Sequence, residues 1–210
     1  MLVFFYKILQ RYNFCQKFAF NYLKNLQSGI YFKEESKGCI MSFQIEKKNI
    51  LDYEVDAIVN AANAELKRGG GVCGQIFKEA SDKGLEEECN KLAPIKPGQA
   101  VITRGYNLKS KYIIHSVGPI YFDGNKGERE TLEAAYRSAL SLAVENNLKS
   151  VVFPLLSSGI YGYPLDEAAE VAVYTIRDFI RDKDLDVTIS ALNDNVVKVL
   201  KKKNKEWIEK

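Results

Sequence analysis

The sequence predicts an α/β protein, a three-layer α/β/α sandwich with a mixed, mostly parallel central sheet. Two observations support this fold class. From residue 43 onwards, short strand-like segments alternate with longer helix-like segments, which is the order of repeated βαβ units. Two of the strand-like segments, Ala57–Ala61 and Val151–Leu155, are apolar at nearly every position, as strands covered by helices on both faces are.

Strands are expected where short apolar or β-branched runs stand between turn residues. Glycine and proline residues around these runs mark the connections between them. The predicted strands are Phe43–Lys47, Ala57–Ala61, Ala100–Thr103, Tyr112–Val117, Val151–Leu155 and Asp186–Ala191.

Helices are expected where apolar residues recur every three or four positions. The clearest example is residues 128–147, which place Leu132, Tyr136 and Ala139 on one face. Pro164 is expected at the first position of the next helix, where its missing N–H costs nothing. The predicted helices are Val72–Ala80, about Leu85–Leu92, residues 128–147, Pro164 to about Arg181, and Asn193–Ile208.

Residues 1–40 differ in composition from the rest of the chain. They contain ten of its 24 aromatic residues, no proline and only two acidic residues. We interpret residues 41–210 as the folded domain and residues 1–40 as an N-terminal extension, with Met41 as the expected biological start. The alternative is that residues 2–26 form an amphipathic helix that contacts a membrane or a partner.

The distribution of charge argues against nucleic-acid binding. The formal net charge is +3, but residues 1–40 carry six basic and two acidic residues, which leaves a net charge of −1 on residues 41–210. A nucleic-acid-binding domain is expected to concentrate basic residues on its folded part.

We expect Lys201–Lys203 to be a solvent-exposed helix face. No apolar run approaches the roughly 18 to 20 residues that span a bilayer, so we expect a cytoplasmic protein without membrane contact, and a monomer.

The cysteines and the single histidine do not form a recognisable metal site. Cys15, Cys39, Cys73 and Cys89 match no zinc-binding spacing, and a disulfide framework is unusual at this size and cysteine content. We therefore expect free thiols, no metal and no cofactor. His115 lies in a predicted buried strand, where we expect a hydrogen-bonded structural residue.

Two glycine-rich loops follow predicted strands and precede predicted helices. In the first, a buried strand leads to Asn63 and then to Gly69–Gly71. In the second, Val151–Leu155 leads to Ser157–Gly162. Glycine lets backbone N–H groups approach a ligand closely, and a following helix adds the positive end of its dipole. Because the carboxyl ends of parallel strands meet at one edge of a sheet, the two loops together predict a diphosphate site.

The same residues allow a plainer interpretation. Glycine runs between strands and helices are common turns, and Asn63 could equally be a helix cap or a turn residue. Neither loop contains the lysine that a P-loop requires, so the pattern argues against ATP hydrolysis.

Three motifs resemble those of the macro domain family. Val55–Gly74 is similar to the family signature, Ile114–Pro119 to its middle strand motif, and Leu155–Pro164 to its second phosphate loop. The similarity extends from about Phe43 to Ile189, with the motifs in the same order and spacing. Within the family, the chain most resembles the MacroD-type hydrolases, which include bacterial O-acetyl-ADP-ribose deacetylases and protein mono-ADP-ribosyl hydrolases.

The resemblance implies a macro domain fold and an enzyme that hydrolyses mono-ADP-ribose esters on proteins, O-acetyl-ADP-ribose, or both. It implies that Asn63 binds the distal ribose hydroxyls and that a water near the ligand's own phosphate attacks the ribose C1″ or the acyl ester. On the same basis, the catalytic residues are Asn63, Gly71 and Cys73. The implied ligand-binding residues are Asn49, Ile50, Asn63, Gly70, Gly71, Val72, Ser157, Ser158, Gly159, Ile160, Tyr161 and Leu192.

Three positions depart from the family pattern. Cys73 stands where MacroD-type proteins usually have an Asp implicated in catalysis, and a thiol cannot take the place of a carboxylate base. Some viral macro domains with hydrolase activity also carry Val-Cys at this point. Asn49 replaces an adenine-contacting Asp, although its carbonyl can still accept a hydrogen bond from the adenine amine. Leu192 aligns with an aromatic residue that often stacks on adenine.

Two other functions stay open. A reader that binds ADP-ribose or an ADP-ribosylated protein without turning it over would use the same pocket, and Cys73 favours that alternative. A protein-interaction role, such as regulation of a ribonuclease or another partner, would use a surface away from Asn63. A turnover assay separates the enzyme from the reader.

Overall fold

The structure is a computed structural model, and it describes residues 42–80 and 83–210. Cys15, Cys39 and the whole of residues 1–41 lie outside the described residues, so the N-terminal extension, its alternative helix and the start at Met41 stay predictions. Within the described residues, no helix is long and apolar enough to cross a membrane.

A six-stranded sheet forms the centre of the described residues. Its strands are β1 Phe43–Lys47, β2 Ala57–Ala61, β3 Ala100–Arg104, β4 Tyr112–Ser116, β5 Ser150–Phe153 and β6 Asp186–Ala191. Across the sheet they follow the order β1-β6-β5-β2-β4-β3. All neighbouring pairs run parallel except β3 and β4, which are antiparallel. The predicted mixed, mostly parallel sheet is therefore confirmed.

Helices cover both faces of this sheet. In the described part of the chain they are α1 Gly71–Ala80, α2 Lys83–Leu92, α3 Glu128–Glu145, α4 Leu165–Ile180 and α5 Asp194–Glu209. Helices α1 and α2 share a buried apolar cluster with one face of the sheet. Helices α3, α4 and α5 share a larger cluster with the other face. This arrangement confirms the three-layer α/β/α sandwich.

The central strand β2 shows why the sheet needs two helical layers. Ala57 and Val59 belong to the cluster of α3 and α4, whereas Ile58 belongs to the cluster of α1 and α2. Successive side chains of a strand point to opposite faces, so an apolar strand of this kind is stable only between two layers. On α3, the predicted apolar face is confirmed, since Leu132 and Tyr136 are fully buried.

Some element boundaries differ from the predicted ones. Helix α1 begins at Gly71, one residue early, and β5 ends at Phe153 because Pro154 has no N–H to continue the strand ladder. Pro164 is not the first helical residue. Its φ of −55° and ψ of 131° make it the N-cap, so α4 begins at Leu165.

The prediction that Lys201–Lys203 forms an exposed helix face is wrong for Lys203. Its side chain is buried, and its Nζ lies 2.6 Å from the Asp166 carboxylate. The carboxylates of Glu170 and Glu206 lie 3.6 Å away. The helical repeat of about 100° per residue turns one of three consecutive side chains inwards, and here that residue anchors α5 to α4.

A buried tyrosine connects the core to the loop after β5. The Tyr136 ring on α3 packs against Phe153, with ring centroids 5.5 Å apart. The Leu156 N–H donates a hydrogen bond to the Tyr136 hydroxyl at 3.0 Å, in surroundings closed to solvent. This bond fixes the start of the loop that carries the second glycine motif.

Replacing Tyr136 tests the value of this bond. Tyr136→Phe should lower the free energy of unfolding by about 1–3 kcal/mol, because the buried Leu156 N–H loses the hydroxyl that accepts its hydrogen bond. Urea denaturation measures the loss. Tyr112→Phe is the matched control because Tyr112 is exposed, and it should change stability by less than about 0.5 kcal/mol. Equal stability of Tyr136→Phe and the wild type would contradict the role given to this bond.

Candidate functional site

The candidate site lies at the edge of the sheet where the parallel strands have their carboxyl ends. The loops after β1, β2, β5 and β6 all leave the sheet at this edge. Together with the first turn of α1, they carry every residue that the sequence assigned to the site, whose contacts with a ligand stay predictions. These residues are Asn49 and Ile50 after β1, Asn63 and Gly70–Cys73 after β2, Ser157–Tyr161 after β5, and Leu192 after β6.

Asn63 holds the turn that begins the first loop. Its side-chain Nδ2 donates to the Lys67 carbonyl at 2.7 Å, and its Oδ1 accepts from the Lys67 N–H at 3.1 Å. Of the alternatives that the sequence left open, the structure excludes a helix cap and supports a turn residue. An amide has two N–H groups and two lone pairs, so one N–H and one lone pair of Asn63 stay available for ligand hydroxyls.

Two positions in the first turn of α1 favour glycine, for different reasons. A Cβ on Gly74 would lie 2.5 Å from the Gly69 carbonyl oxygen, too close for any side chain. Gly71 has a φ of +57°, a left-handed conformation that favours glycine. The glycine run therefore folds back onto the first turn of α1, whose leading N–H groups have no acceptor within the helix and mark the positive end of its dipole.

A chain of buried hydrogen bonds lies beneath the first loop. Asn60 on β2 places its Nδ2 3.1 Å from His115 Nδ1 and 3.7 Å from Cys73 Sγ. His115 Nε2 lies 2.9 Å from the Thr103 hydroxyl, which donates to the Arg104 carbonyl. These contacts are all satisfied when a neutral His115 ring accepts at Nδ1 and donates from Nε2, and we assign the tautomer on that basis.

Burial keeps His115 neutral and structural. Loss of solvent lowers the pKa of His115 to about 4, so the ring carries no charge at neutral pH. Its neighbour Asn60 received no role from the sequence, although a polar residue in an otherwise apolar buried strand was the available signal. The Asn60 Oδ1 is buried and has no hydrogen-bond partner among the described residues.

Cys73 on α1 is buried and faces the hydrogen-bonded residues Asn60 and His115. Its Sγ lies 3.6 Å from the Lys67 carbonyl oxygen and 3.7 Å from the Asn60 amide, and neither group is a base that could activate a thiol. Cys73 and Cys89 are both free thiols, as expected. In residues 42–80 and 83–210, no group of three or more His, Cys, Asp or Glu could hold a metal ion.

Four consecutive N–H groups define the second loop. The backbone N–H groups of Ser158–Tyr161 donate no hydrogen bond within the described part of the chain. The loop is closed around them instead. The Tyr163 N–H donates to the Ser157 carbonyl at 3.0 Å, and the Gly162 N–H donates to the Gly159 carbonyl at 3.0 Å. Successive N–H groups in such a turn form a concave site for an anion.

The serine that opens the second loop is strained. Ser157 has a φ of +60°, a conformation that costs a non-glycine residue about 1–2 kcal/mol. Its Oγ is buried without a partner among the described residues, and it packs so tightly on Gly118 that a Cβ there would overlap it. The sequence analysis gave Gly118 no role beyond its place in the motif Ile114–Pro119. Its contact with Ser157 joins two loops that are distant in the sequence and neighbours only in the folded sheet.

The loops after β1 and β6 complete the edge. Asn49 caps a short 3-10 turn, and its Oδ1 accepts from the Leu51 N–H at 3.1 Å. The Ile50 side chain is buried in the core. If Ile50 contacts the adenine ring of a ligand, it must therefore do so through its backbone. Leu192 is exposed and offers an aliphatic surface.

The two glycine-rich loops meet at Ile160. This side chain is 80% exposed, and a Cβ on Gly70 would lie 2.9 Å from its Cδ1. Ile160 therefore lies across the gap between the loops and has the freedom to rotate away from it.

A separate cavity of about 330 Å³ adjoins the first loop and contains none of the predicted site residues. It is lined by Leu66, Lys67, Arg68, Phe77, Glu86 and Asn90.

Comparison with known proteins assigns the family. The family model of the Macro domain matches residues 59–172, more than half of the chain and both glycine-rich loops. The chain belongs to the macro domain family. The resemblance noted in the sequence is thereby confirmed.

Two of the solved macro domains that share this fold were determined with ADP and with ADP-ribose. An Oceanobacillus iheyensis macrodomain with ADP is 33% identical with a TM-score of 0.77, over 82% of this chain and 95% of that chain. A Trypanosoma brucei macrodomain in complex with ADP-ribose is 33% identical with a TM-score of 0.72, over 80% of this chain and 72% of that chain. The ADP-ribose glycohydrolase MACROD2 of Xenopus laevis is 44% identical over 168 residues, 78% of this chain and 40% of that protein.

Packing of the first loop can be tested at Gly74. Gly74→Ala should lower the free energy of unfolding by about 1–3 kcal/mol, because the new Cβ displaces the Gly69 carbonyl. Alanine otherwise favours a helix over glycine by about 1 kcal/mol, so a net loss means that the contact dominates. Gly159→Ala is the control, since its Cβ would meet nothing within 4 Å. A Gly74→Ala protein that melts higher than the wild type would refute this packing.

The buried state of His115 has a pH signature. The unfolded chain, with an ordinary histidine pKa of about 6.5, binds a proton before the folded protein, in which the pKa of His115 is about 4. The stability contributed by the neutral ring is therefore complete above about pH 6.5 and is lost as the pH falls to about 4.

The measurement compares wild type with His115→Gln, which cannot titrate, by urea denaturation from pH 7 to pH 4. The difference between their unfolding free energies should move against the wild type by on the order of 3 kcal/mol across this range. Carboxylates titrate in both proteins and cancel in the difference. A difference that does not change with pH would show that His115 is not buried in its neutral form.

Proposed function

We propose that this macro domain hydrolyses mono-ADP-ribose esters on proteins, O-acetyl-ADP-ribose, or both. The observation that carries the proposal is the meeting of two loops at one sheet edge. One loop offers Asn63 and the N-terminus of α1, and the other offers the N–H groups of Ser158–Tyr161. The ligands of the Oceanobacillus and Trypanosoma structures support the ligand class, and the activity named for MACROD2 supports the reaction class.

The site suits a ligand with a central diphosphate. Its oxygens would accept from the N–H groups of Ser158–Tyr161, with the positive end of the α1 dipole on the opposite side. The remaining N–H and lone pair of Asn63 would bind the distal ribose hydroxyls. The adenine would lie towards Asn49 and Leu192. The aliphatic side chain of Leu192 would replace the stacking aromatic ring, and a lone pair of the Asn49 carbonyl would replace the charged carboxylate.

The proposed reaction is hydrolysis, in which water displaces one of the two groups that the ester bond joins. For a glutamate-linked ADP-ribose, a water oxygen bonds to C1″, and the bond from C1″ to the carboxylate oxygen breaks. The carboxylate leaves with the bonding electrons, and the proton of the water passes to a ligand phosphate oxygen and then to solvent. For O-acetyl-ADP-ribose, the water oxygen bonds to the acyl carbon instead, and the bond from the acyl carbon to the ribose oxygen breaks. The ribose oxygen takes the bonding electrons and a proton from the water to become a hydroxyl, and acetate is released.

The protein's part in this reaction is positioning and electrostatic stabilisation. Asn63 and the glycine run would hold the ribose so that C1″ faces the attacking water. The N–H groups of the second loop, aligned before the ligand arrives, would stabilise the phosphate oxygens as charge moves. No step needs Cys73 as a base, in keeping with the absence of a base in its polar contacts.

A non-catalytic ADP-ribose reader is the second candidate, and Cys73 is the observation that favours it. The thiol stands where MacroD-type hydrolases usually carry a carboxylate, and its contacts are a carbonyl and an amide. If the wild type proved inactive and Cys73→Asp gained turnover, the protein would be a reader derived from an enzyme.

The decisive assay uses the full chain and a protein carrying glutamate-linked mono-ADP-ribose, with free ADP-ribose followed by mass spectrometry. The wild type should release ADP-ribose, and Asn63→Ala should slow release by about a hundredfold through loss of positioning. Asn107→Ala is the matched control, because Asn107 lies exposed in the turn between β3 and β4 at the opposite edge of the sheet.

The outcomes separate the candidates. Release by the wild type and by Asn107→Ala, but not by Asn63→Ala, supports a hydrolase that works through this site. Binding of ADP-ribose in calorimetry without release supports the reader. Neither binding nor release would reject ADP-ribose as the ligand.

A further inference from the structure

A buried carboxylate organises the loop between β4 and α3. Glu128, the first residue of α3, is 3% exposed. Its Oε1 accepts hydrogen bonds from the N–H groups of Phe122, Asp123 and Gly124 at 3.2–3.3 Å, and its Oε2 accepts from the Lys126 N–H at 2.6 Å. One side chain therefore binds four backbone donors of the preceding loop.

This carboxylate is ionised at all ordinary pH values. Burial alone would raise the pKa of Glu128, but the surrounding backbone N–H groups outweigh burial and lower it to about 2. Hydrogen bonds from N–H groups to an ionised carboxylate are stronger than those between neutral groups. The loop is thus folded around a fixed negative charge.

The loop between β4 and α3 also contacts the second glycine-rich loop, through the residue just before Phe122. The N–H of Tyr121, which directly precedes Phe122, donates to the Tyr161 carbonyl at 2.9 Å. The Tyr121 ring packs on the Tyr163 ring, with centroids 4.8 Å apart. The contacts therefore run from Glu128 through Tyr121 to both ends of the segment Tyr161–Tyr163.

We propose that Glu128 is a positioning residue for the N–H groups of Ser158–Tyr161. Its carboxylate holds the 122–126 loop, and that loop holds Tyr121 where it binds the Tyr161 carbonyl. Among the described residues, the N–H groups of Ser158–Tyr161 have no acceptor, so their alignment depends on such neighbours. This role rests on the proposed function, and it places a determinant of diphosphate binding in a residue that touches no ligand.

Glu128→Gln is the direct test, in the full chain. It keeps the size of the side chain but removes the charge, and it puts an NH2 donor among backbone donors. Glu130→Gln is the matched control, because Glu130 lies in the same first turn of α3 and is exposed. It makes the same change of charge at the same helix terminus. Thermal unfolding verifies that each variant is folded.

Two readouts follow the variants. By calorimetry, Glu128→Gln should bind ADP-ribose about tenfold or more weakly, which corresponds to a loss of about 1.4 kcal/mol or more, while Glu130→Gln binds as the wild type does. By NMR of the ligand-free proteins, the amide resonances of Ser158–Tyr161 should shift in Glu128→Gln and not in Glu130→Gln. A general loss of stability would not single out these amides.

The outcomes are distinguishable from those of the proposed function. A folded Glu128→Gln protein with wild-type affinity and unshifted amides overturns the positioning role. If the wild type binds no ADP-ribose, the proposed function fails, and the amide shifts alone decide whether Glu128 positions the loop. If Glu128→Gln does not fold, Glu128→Asp, which keeps the charge on a shorter side chain, takes its place. Shifted amides with weaker binding support the role, and unchanged ones overturn it.

Discussion

The second glycine-rich loop has one constraint, which is that the N–H groups of Ser158–Tyr161 have no acceptor within the part of the chain that the structure describes. Folded proteins normally pair such donors with an acceptor. Because these four have none among the described residues, the segment Ser158–Tyr161 gains little stability from hydrogen bonds of its own N–H groups. The residues around it supply the order instead. The Leu156 N–H is bound by a core tyrosine, the Tyr163 N–H closes the turn, and the Tyr161 carbonyl is bound by Tyr121. A rigid frame thereby keeps a set of donors open.

The first loop is fixed from below by a polar pair in the middle of an apolar sheet. Asn60 and His115 are directly opposite each other in the register of β2 and β4, and the Asn60 side-chain N–H donates a hydrogen bond to His115 Nδ1. A slip of one residue would turn every side chain of β2 to the opposite face and would leave two buried polar groups unpaired. The pair therefore ties the position of Asn63, three residues further on, to a single strand register.

The sequence predicted most of the fold because its patterns are local. Apolar runs and helical periodicity located the strands and helices to within about two residues, and the two glycine loops could be assigned to one edge because each follows a parallel strand. Contacts between loops were out of reach. Glu128, Ser157 and Gly118 act through neighbours that are distant in the chain, and the inward turn of Lys203 depends on where α4 lies. Periodicity indicates which residues share a face, but it does not identify what packs against that face.

The pairing of β1 has a consequence for how the chain acquires its shape during synthesis. In the sheet of the described residues, β1 lies at the edge and pairs with β6, so that Phe43 is opposite Val187. On a ribosome, β1 emerges first among these six strands, and its partner β6 emerges last. Such long-range closure is intrinsically slow, and a waiting strand exposes unpaired edge groups to other chains. The two glycine-rich loops belong to strands that can pair earlier, so Asn49 and Leu192 are placed only when the domain is nearly complete.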